Sequence, residues 1–211
     1  MVNYGFIASK LDGTELEFKG DSTVKIPEIL SYKYFLPEVI NQGERPICVP
    51  CSLSTYINWD KNLETGRNDF DNGVNLEEIY SSRPNLDTDG MCFKDALHYL
   101  RHNGVEIKNG VYKINRYAKV NSIFQLKQAL VANGPCIGGL PVYSNDGQIY
   151  NNFWKRGYNS VFQGGHAISI VGYNDEGFII RNSWGEEFGD NGYVILPYDD
   201  FDLLMEIWTV I

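Results

Sequence analysis

The chain changes its period at Cys136. Before that point, apolar residues recur at helical spacing in several segments. After it, the sequence breaks into short β-branched and aromatic runs, "CIGGLPVY", "HAISIVGY", "GFIIRNSW" and "GYVILPY", punctuated by glycines. Helices first and strands second exclude the alternating pattern of a parallel doubly wound sheet and point to an α+β protein. No repeat or low-complexity linker divides the 211 residues, so the expectation is one unit with two lobes around a cleft.

The helical half has readable punctuation. From Cys48 to about Asn62, Leu53, Tyr56, Ile57 and Trp59 fall on one helical stripe, and Pro50 fits only in a first turn, where its missing N–H is no loss. That places Cys48 at the positive end of a helix. "NLEEIYSSR" and "FKDALHYLRHNGV" read as further helices, the second stopped by Gly104, and Ser122 to Gln125 has capping-box spacing for a helix ending at "ANGP". Residues 4–19 predict a β-hairpin around Asp12-Gly13, pairing Leu11 with Thr14, Ser9 with Leu16 and Ile7 with Phe18. Its apolar face calls for burial as an extra sheet, with a regulatory flap as the other reading.

The formal net charge of −9, with no basic cluster, argues against a nucleic-acid partner. The first twenty residues carry charges every few positions, which does not fit a secretory signal, and no run reaches the length of a membrane span. Cys48, Cys51, Cys92 and Cys136 are few and, after the first two, far apart. That suits a reducing compartment rather than a disulfide scaffold, and the expectation is a cytoplasmic or virion-associated protein.

The pair in "PICVPC" admits two readings, a thioredoxin-like dithiol or a single nucleophilic cysteine at a helix start. A dithiol centre needs an apolar strand feeding directly into it, whereas "NQGERPI" is a Gly/Pro loop. A zinc site lacks a second ligand pair. A nucleophile needs a base. His98 and His102, four apart on one helix, read as an exposed face, whereas His166 opens an apolar strand behind Gly164-Gly165 and precedes Asn182 of "RNSWGEEFGDNGY" by sixteen residues.

Together, "NQGERPICVPCS", "DGMCFKDALHYLRHNGV" and "GGHAISIVGYNDEGFIIRNSWGEEFGDNGYV" resemble the papain-like cysteine peptidases from about Leu36 to Tyr193. The resemblance implies a two-lobed fold: a helical lobe over about 36–115, a β-barrel-like lobe over about 116–211, the active site in the cleft, and residues 1–35 as hairpin and lead-in. That family has a glutamine six residues before its nucleophile, and Gln42 stands six before Cys48, not Cys51. By this resemblance Cys48 is the nucleophile, His166 its base and later acid, Asn182 the residue that orients the imidazole, and Trp184 its cover. Gln42 and the Cys48 N–H form the oxyanion hole.

The implied activity is cleavage of a protein or peptide substrate through an acyl-enzyme, with no metal or organic cofactor. Gly90 and Gly165 would contact the substrate backbone, and Met91, Cys136 and Ala167 would line the pocket for the second residue before the cleaved bond. The implied thiolate–imidazolium pair needs a thiol pKa well below its ordinary value. Val49-Pro50-Cys51 departs from the family's Trp-Ala-Phe, so Cys51 reads as a small buried apolar residue. The missing disulfide cysteine before Cys48 points to the disulfide-poor bacterial or viral branch. A narrow amide or isopeptide hydrolase and an inactive binding module are the alternative readings.

Overall fold

The computed structural model describes residues 5–21, 23–144, 149–155 and 161–211. Its helices are α1 (Cys48–Thr65), α2 (Leu76–Ser81), α3 (Phe93–His102) and α4 (Ile123–Asn133). Its strands are β1 (Gly5–Phe6), β2 (Leu30–Ser31), β3 (Val105–Ile107), β4 (Gly110–Tyr112), β5 (Tyr117–Lys119), β6 (Cys136–Tyr143), β7 (Ile149–Tyr150), β8 (Phe153–Trp154), β9 (Phe162–Tyr173), β10 (Gly177–Arg181), β11 (Tyr193–Pro197) and β12 (Glu206–Val210). The fold is α+β.

The main sheet runs β5-β12-β6-β9-β10-β11-β8-β7, with β1 and β2 added on β9. Among the described residues its pairings run as one path with β5 and β7 at the ends. The central strand is β9. Along one edge it pairs with β6 from Phe162 to Ile170, and along the other with β10 from Ser169 to Tyr173. β10 therefore leaves the edge at Gly165 and His166 open, and β1 fills it.

α1 packs against β9. Thirteen of its eighteen residues are buried, far more than one amphipathic stripe, because the helix runs between structure on several sides. Pro50 sits in the first turn, and Gly66 ends the helix at φ 65° in the left-handed region. Three buried asparagines tie the following loop to the helix. Asn58 Oδ1 accepts the Asn72 backbone N–H at 2.7 Å, and Asn62 Oδ1 accepts from Asn72 Nδ2 at 3.1 Å. At α4, Ser122 caps as expected, accepting the Gln125 N–H, while Gln125 Oε1 accepts the Asn121 N–H.

The expected hairpin over residues 4–19 does not form among the described residues; Tyr4 lies outside them. The segment pairs with the body instead of with itself. Gly5 and Phe6 join β9, and Phe18 donates its N–H to the Lys119 carbonyl. Asp12 closes its own turn by accepting from the Thr14 N–H and hydroxyl. Ile7, Leu11 and Leu16, the supposed buried face, are 43–46% exposed, whereas Phe6 and Phe18 are buried. His98 and His102 lie exposed with ring centroids 4.3 Å apart. No described helix is long and apolar enough to cross a membrane.

Gly172 is where β2 crosses β9 most closely. Its φ is +155°, and a Cβ there would stand 2.1 Å from the Leu30 carbonyl oxygen. Gly172→Ala is expected to lower stability by about 2 kcal/mol, read as a fall in the urea midpoint with the slope unchanged.

Candidate active site

Four segments converge beside β9. Cys48 is the first residue of α1, whose start has neither a side-chain cap nor an acidic residue in its first turn. Its positive end is therefore uncompensated at the thiol. His166 lies on β9, Asn182 directly follows β10, and Gln42 lies on the loop that leads into α1. All four are buried.

Asn182 joins two of them. Its Oδ1 is 2.6 Å from His166 Nε2. A carboxamide oxygen only accepts, so Nε2 carries the proton and the exchangeable role falls to Nδ1. The same Oδ1 accepts the Ser183 N–H at 2.8 Å. Ser183 Oγ donates to Gln42 Oε1 at 2.6 Å, and the Ser183 carbonyl accepts the Gln42 N–H at 2.9 Å. Gln42 Nε2 donates one hydrogen to the Arg45 carbonyl at 2.8 Å. With its oxygen held by Ser183, the Gln42 amide cannot flip, and its nitrogen is presented as a donor. Sequence reasoning gave Ser183 no role, because a serine in "NSW" carries no signal of what it touches.

The imidazole lies between aromatic walls. Trp184 stacks on it with centroids 4.6 Å apart and planes 29° apart, and Trp154 stands parallel at 6.4 Å. Phe188 meets the Trp184 ring edge-on at 4.9 Å. Trp184 has the place the sequence expected. Trp154 and Phe188 were missed, since nothing local in the sequence says which ring an aromatic side chain meets.

The cleft beside Cys48 is occupied by the chain itself. Gly5 stands opposite His166 and Phe6 opposite Gly165 in antiparallel register. On the other side, Ile7 donates its N–H to the Met91 carbonyl at 3.0 Å and Gly5 accepts the Met91 N–H at 2.9 Å. The strap thus bridges both walls. Gly5 is at φ +83°, and a Cβ on it would be 2.4 Å from the Pro46 carbonyl oxygen. The Phe6 ring fits only because its neighbours are glycines: a Cβ at Gly139 would stand 2.3 Å from it and one at Gly165 2.7 Å. Phe93 closes the pocket at 5.1 Å between centroids. Further along, Ser9 donates its N–H and hydroxyl to the buried Glu206 carboxylate at 3.1 and 2.9 Å, and Lys94 pairs with Asp12 and Glu15.

This arrangement sorts the expected substrate contacts. Met91, Gly165 and Ala167 do gather with Phe6 beside Cys48. Gly90 does not make the backbone pairing expected of it. Its N–H goes to the Tyr80 hydroxyl and its carbonyl to Asn85, so the pairing passes to Met91. Cys136 is not in this pocket: it is buried in the second hydrophobic cluster, with its thiol on the Gly134 carbonyl at 3.8 Å. Along β6 it is Gly139, not Cys136, that faces the occupant. Burial also pushes the Cys48 thiol up to about 12, against the pull of the Ala167 N–H. Covering the cleft thus opposes the ionisation that the resemblance implies for this thiol.

The sequence profile described as papain family cysteine protease matches residues 70–202, which include His166 and Asn182. The chain belongs to this family. It is 29% identical over 223 residues to papain of Carica papaya, covering 90% of this chain and 61% of that one. It is 27% identical over 208 residues to an uncharacterized peptidase C1-like protein of Acanthamoeba polyphaga mimivirus, covering 86% and 64%. The chain thus spans less than two-thirds of the length of these curated relatives. Xylellain, a cysteine protease from Xylella fastidiosa, has the same fold, with a TM-score of 0.83 at 22% identity over 99% of this chain and 96% of that one.

Phe6→Ala would empty the strap's seat in this papain-family cleft. Alkylation of Cys48 by iodoacetamide is then expected to accelerate about tenfold, the equivalent of about 1.4 kcal/mol of closure. Mass spectrometry checks it, with Cys136 remaining protected as proof that the fold is intact.

Proposed function

We propose that the protein is a cysteine endopeptidase whose resting form is held closed by its own residues 5–9. The observation that carries this reading is the chain of bonds from His166 through Asn182 and Ser183 to Gln42, set beside a cysteine at an uncapped helix start.

In this reading, His166 Nδ1 takes the Cys48 thiol proton once the strap leaves and water and substrate restore polarity to the cleft. The helix end and the imidazolium then favour the thiolate. The thiolate attacks the scissile carbonyl. Gln42 Nε2 and the Cys48 N–H receive the developing oxyanion, a contribution of about 3 kcal/mol per donor. His166 passes its proton to the leaving amine, and water attacks the resulting thioester by the same route in reverse. Asn182 holds the ring in the tautomer that this requires, and Trp184 and Trp154 exclude water from that bond.

An extended substrate would replace the strap along the open edge of β9, meeting Gly165 on one side and Met91 on the other. Glycines at 139 and 165 leave room for an apolar side chain where Phe6 now sits, so we read an apolar preference at the second residue before the cleaved bond. The walls there are Met91, Phe93 and Ala167, with no charge among them.

The reading is tested with a quenched peptide library near pH 6 in the Phe6→Ala background. Cys48→Ala is expected to abolish cleavage and His166→Ala to slow it by several orders of magnitude. Gln42→Ala should lower kcat by about 10²–10³, while Cys51→Ala retains activity and loses about 1 kcal/mol of stability. A folded protein that neither cleaves the library nor reacts with an electrophilic peptide trap is instead a binding module.

A further inference from the structure

The peptidase reading uses only half of the Cys-Val-Pro-Cys stretch. Cys48 and Cys51 are the first and fourth residues of α1, three apart and so on neighbouring positions of one helix face. Neither is in a disulfide, and both are buried, at 0% and 3% exposure. Pro50 between them sits in the first turn, where no N–H is needed, and the Cys51 N–H donates to the Ile47 carbonyl at 3.0 Å. Both cysteines border Ala167: the Cys48 sulfur receives its N–H, and Cys51 shares with Ala167 and Asn182 a void of about 10 Å³. Burial pushes the Cys51 thiol up to about 12, and Arg45, itself paired with Glu77 at 2.9 Å, pulls the other way.

We propose that Cys51 is a resolving thiol, a modification site through which peroxide oxidation of Cys48 is captured as a reversible Cys48–Cys51 disulfide. The Cys48 thiolate, formed when the strap leaves the cleft, attacks hydrogen peroxide. The O–O bond breaks, an S–O bond forms, and the departing hydroxide takes up a proton to become water. Cys51 then attacks the sulfenic sulfur, the S–S bond forms, and a second water leaves, so two thiols are oxidised while one peroxide is reduced. A cellular dithiol reverses the step by thiol–disulfide exchange. Neighbours three apart on a helix have Cβ atoms about 5–6 Å apart against the roughly 4 Å a disulfide needs, so closure takes a movement of about 1–2 Å at the helix end. Without Cys51 the sulfenic acid would proceed to sulfinic acid, which a dithiol does not reverse.

The inference rests on the reading of Cys48 as the reactive thiol, but its test does not depend on peptidase activity. The full chain is treated with a small excess of hydrogen peroxide, then denatured, blocked with a maleimide, digested and mapped by mass spectrometry. Expected is a peptide carrying both cysteines, two hydrogens lighter and unblocked, with Cys92 and Cys136 blocked, and full blocking of all four after dithiothreitol. In Cys51→Ser, the same dose should leave Cys48 with two or more oxygens. The cleavage activity recovered by dithiothreitol should fall about tenfold or more below that of the wild type. Wild-type Cys48 found as sulfinic acid with Cys51 blocked, or bridged to Cys92, Cys136 or a second chain, overturns the proposal. A Cys48–Cys51 bridge in a chain that cleaves nothing sustains it and removes the peptidase reading alone.

Discussion

The free edge of β9 is the constraint on which the rest of the site depends. A strand with an unpaired edge presents N–H and C=O groups to any extended chain of matching direction. Here β10 covers one end of that edge and stops at Ser169, so the exposed stretch is the one carrying Gly165 and His166. The His166 imidazole is therefore built into an edge that pairs with extended backbone, and in the proposed reading a peptide that pairs there is delivered to it. α1 packs against the same strand and brings Cys48 with it.

That edge is satisfied by the chain's own β1, which makes the occluded form consistent in energetic terms. Phe6 buries an aromatic ring, Met91 and β9 receive strap hydrogen bonds, and Glu206 and Lys94 hold the segment further along. The covered thiol follows directly, because a thiolate costs free energy in an apolar, water-free pocket. In the proposed peptidase reading closure and ionisation are linked: whatever displaces the strap also restores the polarity that the thiolate requires.

Much of the site was legible in the residues. The Gln42 to Cys48 spacing, the His166 strand start and "RNSWGEEFGDNGY" each name a partner in the bond network, and Pro50 fixed the start of α1 through its missing N–H. The misses share one cause. The Asp12-Gly13 turn looked like a hairpin because local pairing rules are symmetric between self-pairing and pairing with a distant strand, and here β9 and Lys119 offered better partners. Cys136 was assigned to the pocket and Gly90 to substrate pairing by linear alignment, which cannot resolve which residue of β6 faces the cleft or that Tyr80 and Asn85 already hold the Gly90 backbone.

The sequence by itself determined the α+β class, the helix that begins at Cys48 and the set of residues able to carry acyl-transfer chemistry, because these follow from side-chain identity, local propensity and short-range spacing. The tertiary structure alone decided that Ser183 locks Gln42, that Trp154 backs the imidazole, that the β9 edge is covered by Gly5 and Phe6, and that burial opposes ionisation of the Cys48 thiol. Each of those depends on contacts between residues from 12 to more than a hundred positions apart, whose free energy is set by burial and geometry that no local pattern encodes.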